Sequence, residues 1–339
     1  MADIPIVDFS AYSSPDSPYD RIAVAKDIDN AFRSQGFVYL KNHGVSKERV
    51  EHCFAWSRKF FALPLETKNL APHPPGGAHH RGYSAHGLEK VSQHQFDANE
   101  LSKAREAPDY KESFEAGNLD DELQPNIWPP ESALPGFRAF IESFFTDCEA
   151  LVHRVLDALS RALSVEDPLS STHRRSLFQL RLLHYPRIAV EELERGRRSR
   201  ITAHSDFGTL TLLFQDSVGG LEVEDPHQLG VFRPVRPVED AVLVNVGDLM
   251  ARWSNDRWKS TVHRVVSPPA QDAGVVPARY SIPFFATADP DTVIEALPGC
   301  SSESNPKKYQ SVTAWGYVQM RMAALYEEKE KKEKKTHSQ

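Results

Sequence analysis

From about residue 177 the chain is written in short alternating segments. "LFQLRLLHY", "TLTLLFQ", "GGLEVE", "GVFRPVRP", "AVLVNVGD", "WKSTVHRVVS" and "ARYSIPFFA" follow one another with turn residues between them. Segments of this length and spacing pair antiparallel and form a sandwich or barrel. Their number suits a double-sheet jelly roll. A long helix precedes them. Between 132 and 163, Phe137, Phe140, Ile141, Phe144, Phe145, Cys148, Leu151, Val152, Val155, Leu156 and Leu159 recur at spacings of three and four. That is one apolar stripe, read as a support helix packed across the sheet. The predicted fold is therefore mainly β with flanking helices around a jelly-roll core.

The remaining segments fall around this core. "IPIVDFS" at 4–10 and "GFVYLKNHGV" at 36–45 read as strands, and 19–34 and 47–61 as helices. Residues 70–130 are rich in Pro, Gly, His and charge, which predicts loops and short elements. The expected organisation is an N-terminal region over 4–130, the support helix within 131–170 and the strand-rich core over 175–290. A C-terminal helix over 305–328 and a solvated tail over 329–339 complete it.

Composition narrows the function classes. The net charge of −7 gives no field that attracts nucleic acid, and no apolar run approaches a bilayer span. The three cysteines are far apart and form neither a disulfide framework nor a CxxC zinc pattern. The opening "MADIPIVDFS" lacks the basic and apolar regions of a secretory signal. The expectation is a cytoplasmic protein, monomeric or weakly self-associating, acting on a small molecule.

The chemistry starts at "AHSDFGTLTLLFQD". On an extended chain residues i and i+2 point to the same side, so His204 and Asp206 aim into one space. By itself this pair also fits two ordinary surface groups. A later strand, "STVHRVVSP", offers His263 as a third ligand. Two histidines and a carboxylate form the facial triad of non-haem iron(II) sites, which leaves positions open for substrate and dioxygen. Further on, "ARYSIPFF" places Arg279 and Ser281 on one face. A guanidinium fork and a hydroxyl suit a carboxylate, and a buried arginine needs an anion from the protein or from a ligand.

With these motifs in order, the chain resembles the iron(II)/2-oxoglutarate-dependent dioxygenases of the isopenicillin N synthase-like group. "KFFALPLETK", "RGYS", "KESFEAG", "RLLHYP" and "VNVGDLMARWSNDRWKSTVHRVV" extend the likeness over nearly the whole length. Within that group it is most similar to fungal thymine dioxygenase-like enzymes. The resemblance implies a double-stranded β-helix (jelly roll). It implies Fe(II) on His204, Asp206 and His263, and 2-oxoglutarate and dioxygen as cosubstrates, with ascorbate a further candidate. It implies Arg279, Ser281 and Tyr185 on the 2-oxoglutarate, and Arg181, Phe207 and Phe285 around the substrate. The implied reaction is hydroxylation of a small planar aromatic or heterocyclic metabolite. Desaturation, cyclisation or ring expansion on the same cofactors, or a binding protein without turnover, are the alternatives.

Overall fold

The computed structural model describes residues 1–75, 80–86, 110–189, 191, 200–267 and 274–321. In chain order the strands are β1 (Ile6–Asp8), β2 (Phe37–Lys41), β3 (Gly82–Ser84), β4 (Glu112–Gly117), β5 (Gln179–Tyr185), β6 (Ile188–Ala189), β7 (Ile201–His204) and β8 (Leu210–Gln215). They continue with β9 (Leu221–Asp225), β10 (Gln228–Pro234), β11 (Ala241–Val246), β12 (His263–Val265), β13 (Val275–Val276), β14 (Arg279–Ala286), β15 (Val293–Ile294) and β16 (Val312–Thr313). Eight of them form one sheet in the order β1-β2-β11-β8-β14-β5-β4-β3, and β10-β9-β12-β7 form a second. Two facing sheets with the support helix outside them make the jelly-roll core.

Alternation sorts the large sheet's side chains into two populations. Leu180, Leu182, Leu212, Phe214, Ile282 and Phe284 belong to the apolar core shared with the helix Phe137–Leu163. Leu183, Tyr185, Leu243, Phe37 and Tyr39 face the other way and pack with Ile201, Leu221, Val223 and Val265 of the small sheet. The interior between the sheets thus collects the odd-numbered residues of β5, β8 and β14. Arg279, Ser281 and Phe285 are among them, as are Arg181 and Tyr185.

Several elements depart from the sequence pattern. The long helix begins at Phe137, after Leu134-Pro135-Gly136, where Gly136 adopts a φ of 82°. Within 70–130 the expected short elements include β3 and β4, which extend the large sheet, and all six residues of β4 are buried. "KESFEAG" has little strand character of its own and is held extended by its neighbours β5 and β3. The N-terminal region is consequently not a separate layer, since β2 pairs directly with β11. At the other end residues 314–321 are helical, while 312–313 pair with β15, so the last helix starts later than expected. The rest of the predicted helical span and the charged tail lie outside the described residues.

The outer face of β4 carries a buried ionic cluster. Lys68 Nζ donates to Glu112 at 2.8 Å, Tyr83 Oη at 2.7 Å and His184 Nδ1 at 2.7 Å. Burial alone would raise the Glu112 carboxyl, but the three donors outweigh it and hold it at about 2. A carboxyl depressed in the folded state adds stability above its ordinary value, and that stability fades as pH falls through the folded value. Glu112→Gln is expected to cost about 3 kcal/mol at neutral pH, because it leaves Lys68 buried without its carboxylate. Denaturant titrations should show the parent losing stability from about pH 4.5 toward pH 2, and the variant showing little of that loss.

Candidate metal centre and cosubstrate pocket

β7 ends on His204, and His263 lies directly opposite it on β12. Asp206 follows two residues later, outside the strand. One ligand atom from each of the three lies within 4.8 Å of the others. Asp206 Oδ1 is 4.0 Å from His204 Nε2 and 3.8 Å from His263 Nε2. These separations are too long for hydrogen bonds and suit three ligands around one ion.

The tautomers point the same way. His204 Nδ1 lies 2.9 Å from the Thr202 carbonyl oxygen, and His263 Nδ1 lies 3.1 Å from that of Thr261. A carbonyl oxygen only accepts, so each Nδ1 carries the proton and each Nε2 presents a lone pair. Two lone pairs and a carboxylate oxygen facing one another call for a cation. The other Asp206 oxygen is fixed: Thr211 Oγ1 donates to Oδ2 at 2.6 Å and Asn245 Nδ2 at 2.8 Å. Burial by itself would raise the Asp206 carboxyl, but the facing imidazoles and these two donors turn the direction downward. The donor set therefore fits a divalent metal such as iron(II).

Close packing holds the ligand loop. The Asp248 backbone N–H donates to the Asp206 carbonyl at 2.7 Å. At Gly247 a Cβ would run into the carbonyl oxygen of Gly208. The φ of Gly247 is −92°, so the glycine serves close approach and not a left-handed turn. The Asp248 carboxylate accepts from Ser205, between two of the ligands, at 3.0 Å and from Ser260 at 2.6 Å. It also accepts from Arg321 of the C-terminal helix at 2.6 Å. Burial nonetheless leaves the Asp248 carboxyl raised.

Along the inner face of β14, Arg279 is paired with Tyr185 and Ser281 with both Leu183 and Gln215. Arg279 is 1% exposed. Its Nη1 donates to Ser281 Oγ at 3.0 Å and its Nη2 reaches Gln215 Oε1 at 3.4 Å. Its Nε is buried without a partner, and the guanidinium lies 5.0 Å from the Tyr185 ring centroid. Among the described residues no carboxylate pairs with Arg279, so this end of the interior suits a ligand carboxylate.

Phe285 lies four residues beyond Ser281 on β14, about 13 Å further along the strand, opposite Thr211 and therefore beside the Asp206 clamp. Arg181 adjoins it, its guanidinium 5.7 Å from the Phe285 ring. Arg181 is also paired with a wholly buried carboxylate, Glu115 on β4, at 2.8 Å. Glu115 further accepts from Gln179 at 2.7 Å and faces His80. Phe207 is placed differently: the Arg321 guanidinium sits 4.3 Å from its ring, and among the described residues no ring contact joins it to Phe285.

His80 and His73 lie with Glu115 in a second group whose ligand atoms are within 4.8 Å of one another. His43 is buried and held neutral, its ring pushed down to about 4 by burial and by Arg154. His184 belongs to the Glu112 cluster, and His79 lies outside the described residues. Sequence reasoning missed Thr211, Gln215, Asn245, Glu115 and Arg200. For the first two, the alternation of β8 carries the signal, because it turns polar residues inward on an otherwise apolar strand.

Replacing the Asp206 clamp tests the centre. Thr211→Val and Asn245→Leu should each weaken Fe(II) binding by about 10–100-fold, because an outer partner orients the ligand. Anaerobic chelator competition measures this; unchanged affinity in both variants would mean that the clamp has no part in metal binding.

Comparison with known proteins gives a consistent set of likenesses. Residues 4–131 match the family described as non-haem dioxygenase in morphine synthesis N-terminal, and residues 178–288 match the 2OG-Fe(II) oxygenase superfamily. The chain is 42% identical over 334 residues to the 2-oxoglutarate-dependent dioxygenase frbA of Dothideomycetidae sp. (strain 11243), covering 95% of this chain and 97% of that protein. It is 40% identical to the proline hydroxylase buaE of Petromyces alliaceus, covering 92% and 96%. The crystal structure of the full-length thymine hydroxylase of Neurospora crassa with alpha-KG and thymine superposes with a TM-score of 0.82 at 42% identity, covering 94% and 96%.

Proposed function

The chain belongs to the 2OG-Fe(II) oxygenase superfamily, an enzyme family using Fe(II), 2-oxoglutarate and dioxygen, and from that premise we propose that it hydroxylates a small planar aromatic or heterocyclic metabolite. Fungal secondary metabolism or pyrimidine metabolism is the proposed setting. Two relatives are named for heterocycles, thymine in one and proline in the other. Among the described residues no helix is long and apolar enough to cross a membrane.

The observation that carries the reading is the single inner face. The register of the large sheet puts the Arg279 guanidinium, which lacks a carboxylate partner among the described residues, on the same face as the Asp206 clamp and the Phe285–Arg181 pair, at its opposite end. In this reading His204, Asp206 and His263 hold the iron. Arg279, Ser281 and Tyr185 hold the far carboxylate of 2-oxoglutarate. When bound, iron and 2-oxoglutarate supply the oxidation of a C–H bond by dioxygen. The protein's own part is placement. Thr211 and Asn245 fix which Asp206 oxygen faces the centre, and the Thr202 and Thr261 carbonyls fix both imidazoles. The apolar wall between the sheets, with Leu183, Leu243 and Val223, keeps water from the centre.

The Arg181–Glu115 pair refines the substrate proposal. Since Glu115 offsets the arginine's charge, the substrate meets a donor and an acceptor side by side. That suits a ring edge bearing N–H next to C=O, with Phe285 stacking on the ring. Phe207, beneath Arg321, would contribute from the side of the C-terminal helix.

Two measurements test these roles. Arg279→Met should weaken 2-oxoglutarate binding on the order of a hundredfold while leaving Fe(II) affinity unchanged. Unchanged affinity for 2-oxoglutarate would remove Arg279 from the pocket. The double variant Arg181→Met/Glu115→Gln removes both charges of the pair together. It should lose at least about tenfold in product from a hydroxylated heterocycle, while keeping substrate-independent succinate release within about twofold. Equal loss of both would identify the pair as scaffold.

A further inference from the structure

β7 is preceded by a second buried arginine. Arg200 is 2% exposed, yet it ends the densely charged run "EELERGRRSR". Its Nη2 donates to the Pro277 carbonyl at 2.8 Å, two residues before Arg279. Its Nε and Nη1 are buried without partners. The guanidinium lies 5.6 Å from the centroid of the Tyr185 ring, the same ring that Arg279 approaches to 5.0 Å. Two guanidiniums therefore share one aromatic ring inside the protein, with three orphaned nitrogens between them.

The charges around them do not balance. Among the described residues, Arg279 opposes the charge of Arg200, while the Tyr185 phenol and the Asp216 carboxylate favour it. Burial and then Arg279 push Arg200 down to about 10, still well above neutral pH, so it stays a cation. Asp216 gives limited help. Its oxygens accept from the Tyr280 and Val218 backbone N–H groups at 2.6 and 3.0 Å, and burial leaves its carboxyl raised. Among the described residues two cations face one anion, an excess of one positive charge. A buried charge without a counter-ion is costly, and one carboxylate brings the balance to zero.

We infer that Arg200 is a second cation of the cosubstrate pocket, and that it and Arg279 together select 2-oxo acids bearing a far carboxylate. The inference rests on the proposed placement of 2-oxoglutarate at Arg279 and Ser281. Arg279 and Ser281 supply the directed hydrogen bonds. Arg200, behind Tyr185, supplies charge and holds the ring against which the ligand chain lies. Its role is binding and positioning, without contact to the reacting atoms.

The test is anaerobic calorimetry on the Fe(II)-loaded protein with two ligands. One is 2-oxoglutarate; the other is 2-oxobutyrate, which has the same metal-binding end and no far carboxylate. Arg200→Met should bind 2-oxoglutarate on the order of tenfold more weakly and 2-oxobutyrate as the parent does. Arg200→Lys, which keeps the charge and loses the fork, should fall between Met and the parent. Equal weakening of both ligands by Arg200→Met, or no weakening of either, overturns the inference. Where Arg200→Met fails to fold, Arg200→Lys decides, and parental affinity for 2-oxoglutarate at raised and lowered salt then overturns it. Arg279→Met separates the two levels. If that variant also binds 2-oxoglutarate normally, the placement of the cosubstrate is wrong; if it binds weakly while Arg200→Met does not, only the role of Arg200 falls.

Discussion

The molecule is organised by one constraint: the large sheet must satisfy both faces at once. Its outer face is closed by the helix Phe137–Leu163, whose stripe meets Leu212, Phe214, Ile282 and Phe284. With that apolar burial placed outside, the inner face is released from supplying the core alone. It carries Arg279, Ser281, Gln215, Thr211, Arg181 and Glu115, which a half-buried sheet without a covering helix would have to expose. A slip of one residue in β14 would exchange the two populations. Arginine and serine would then face the helix, and Ile282 and Phe284 would face the iron site. The register is thus fixed by the cost of that exchange, and the site inherits its geometry from it.

A second layer of order comes from carboxylates that split their work between two oxygens. Asp206 gives Oδ2 to Thr211 and Asn245 and leaves Oδ1 toward the histidines. Asp248 does something similar at a distance. One of its oxygens takes Ser260, near His263, and the other takes Ser205 and the C-terminal helix through Arg321. The two ligand-bearing segments come from different strands, yet they are tied to one buried carboxylate. Arg321 also covers Phe207, so docking of that helix touches the metal loop and a residue proposed for the substrate pocket together.

Much of this was legible in the sequence, and the reason is periodicity. His204 with Asp206, and Arg279 with Ser281, are spaced by two on extended chain, which fixes a shared side without knowledge of the fold. The long stripe of aromatic and aliphatic residues gave the support helix in the same way. What stayed hidden depends on pairing across the sheet. Glu115 sits in a stretch that reads as loop, because β4 takes its extended form from β5 and β3. Arg200 closes a run of charges that reads as solvated surface, and only the tertiary fold shows it buried. Asn245 sits within an apolar segment with no local partner for its amide, and its contact with Asp206 spans 39 residues of sequence.

The Arg181–Glu115 pair shows how such hidden partners alter a functional reading. Alone, an arginine beside Phe285 argues for an anionic substrate. With Glu115 at 2.8 Å and wholly buried, the charge is already met within the protein. A buried pair of this kind adds little net stability compared with apolar packing, because desolvation offsets most of the attraction. Its retention next to the metal centre is therefore better explained by recognition than by folding. A substrate whose polar edge hydrogen-bonds to the pair is favoured. One that covers them with apolar surface leaves polar atoms unsatisfied, at about 1–3 kcal/mol each. By that argument discrimination at this site acts through hydrogen bonding to a neutral polar edge. At the other end of the same face, where Arg279 has no carboxylate partner, it acts through charge. If both proposed placements hold, one sheet face separates two ligands by two different physical criteria.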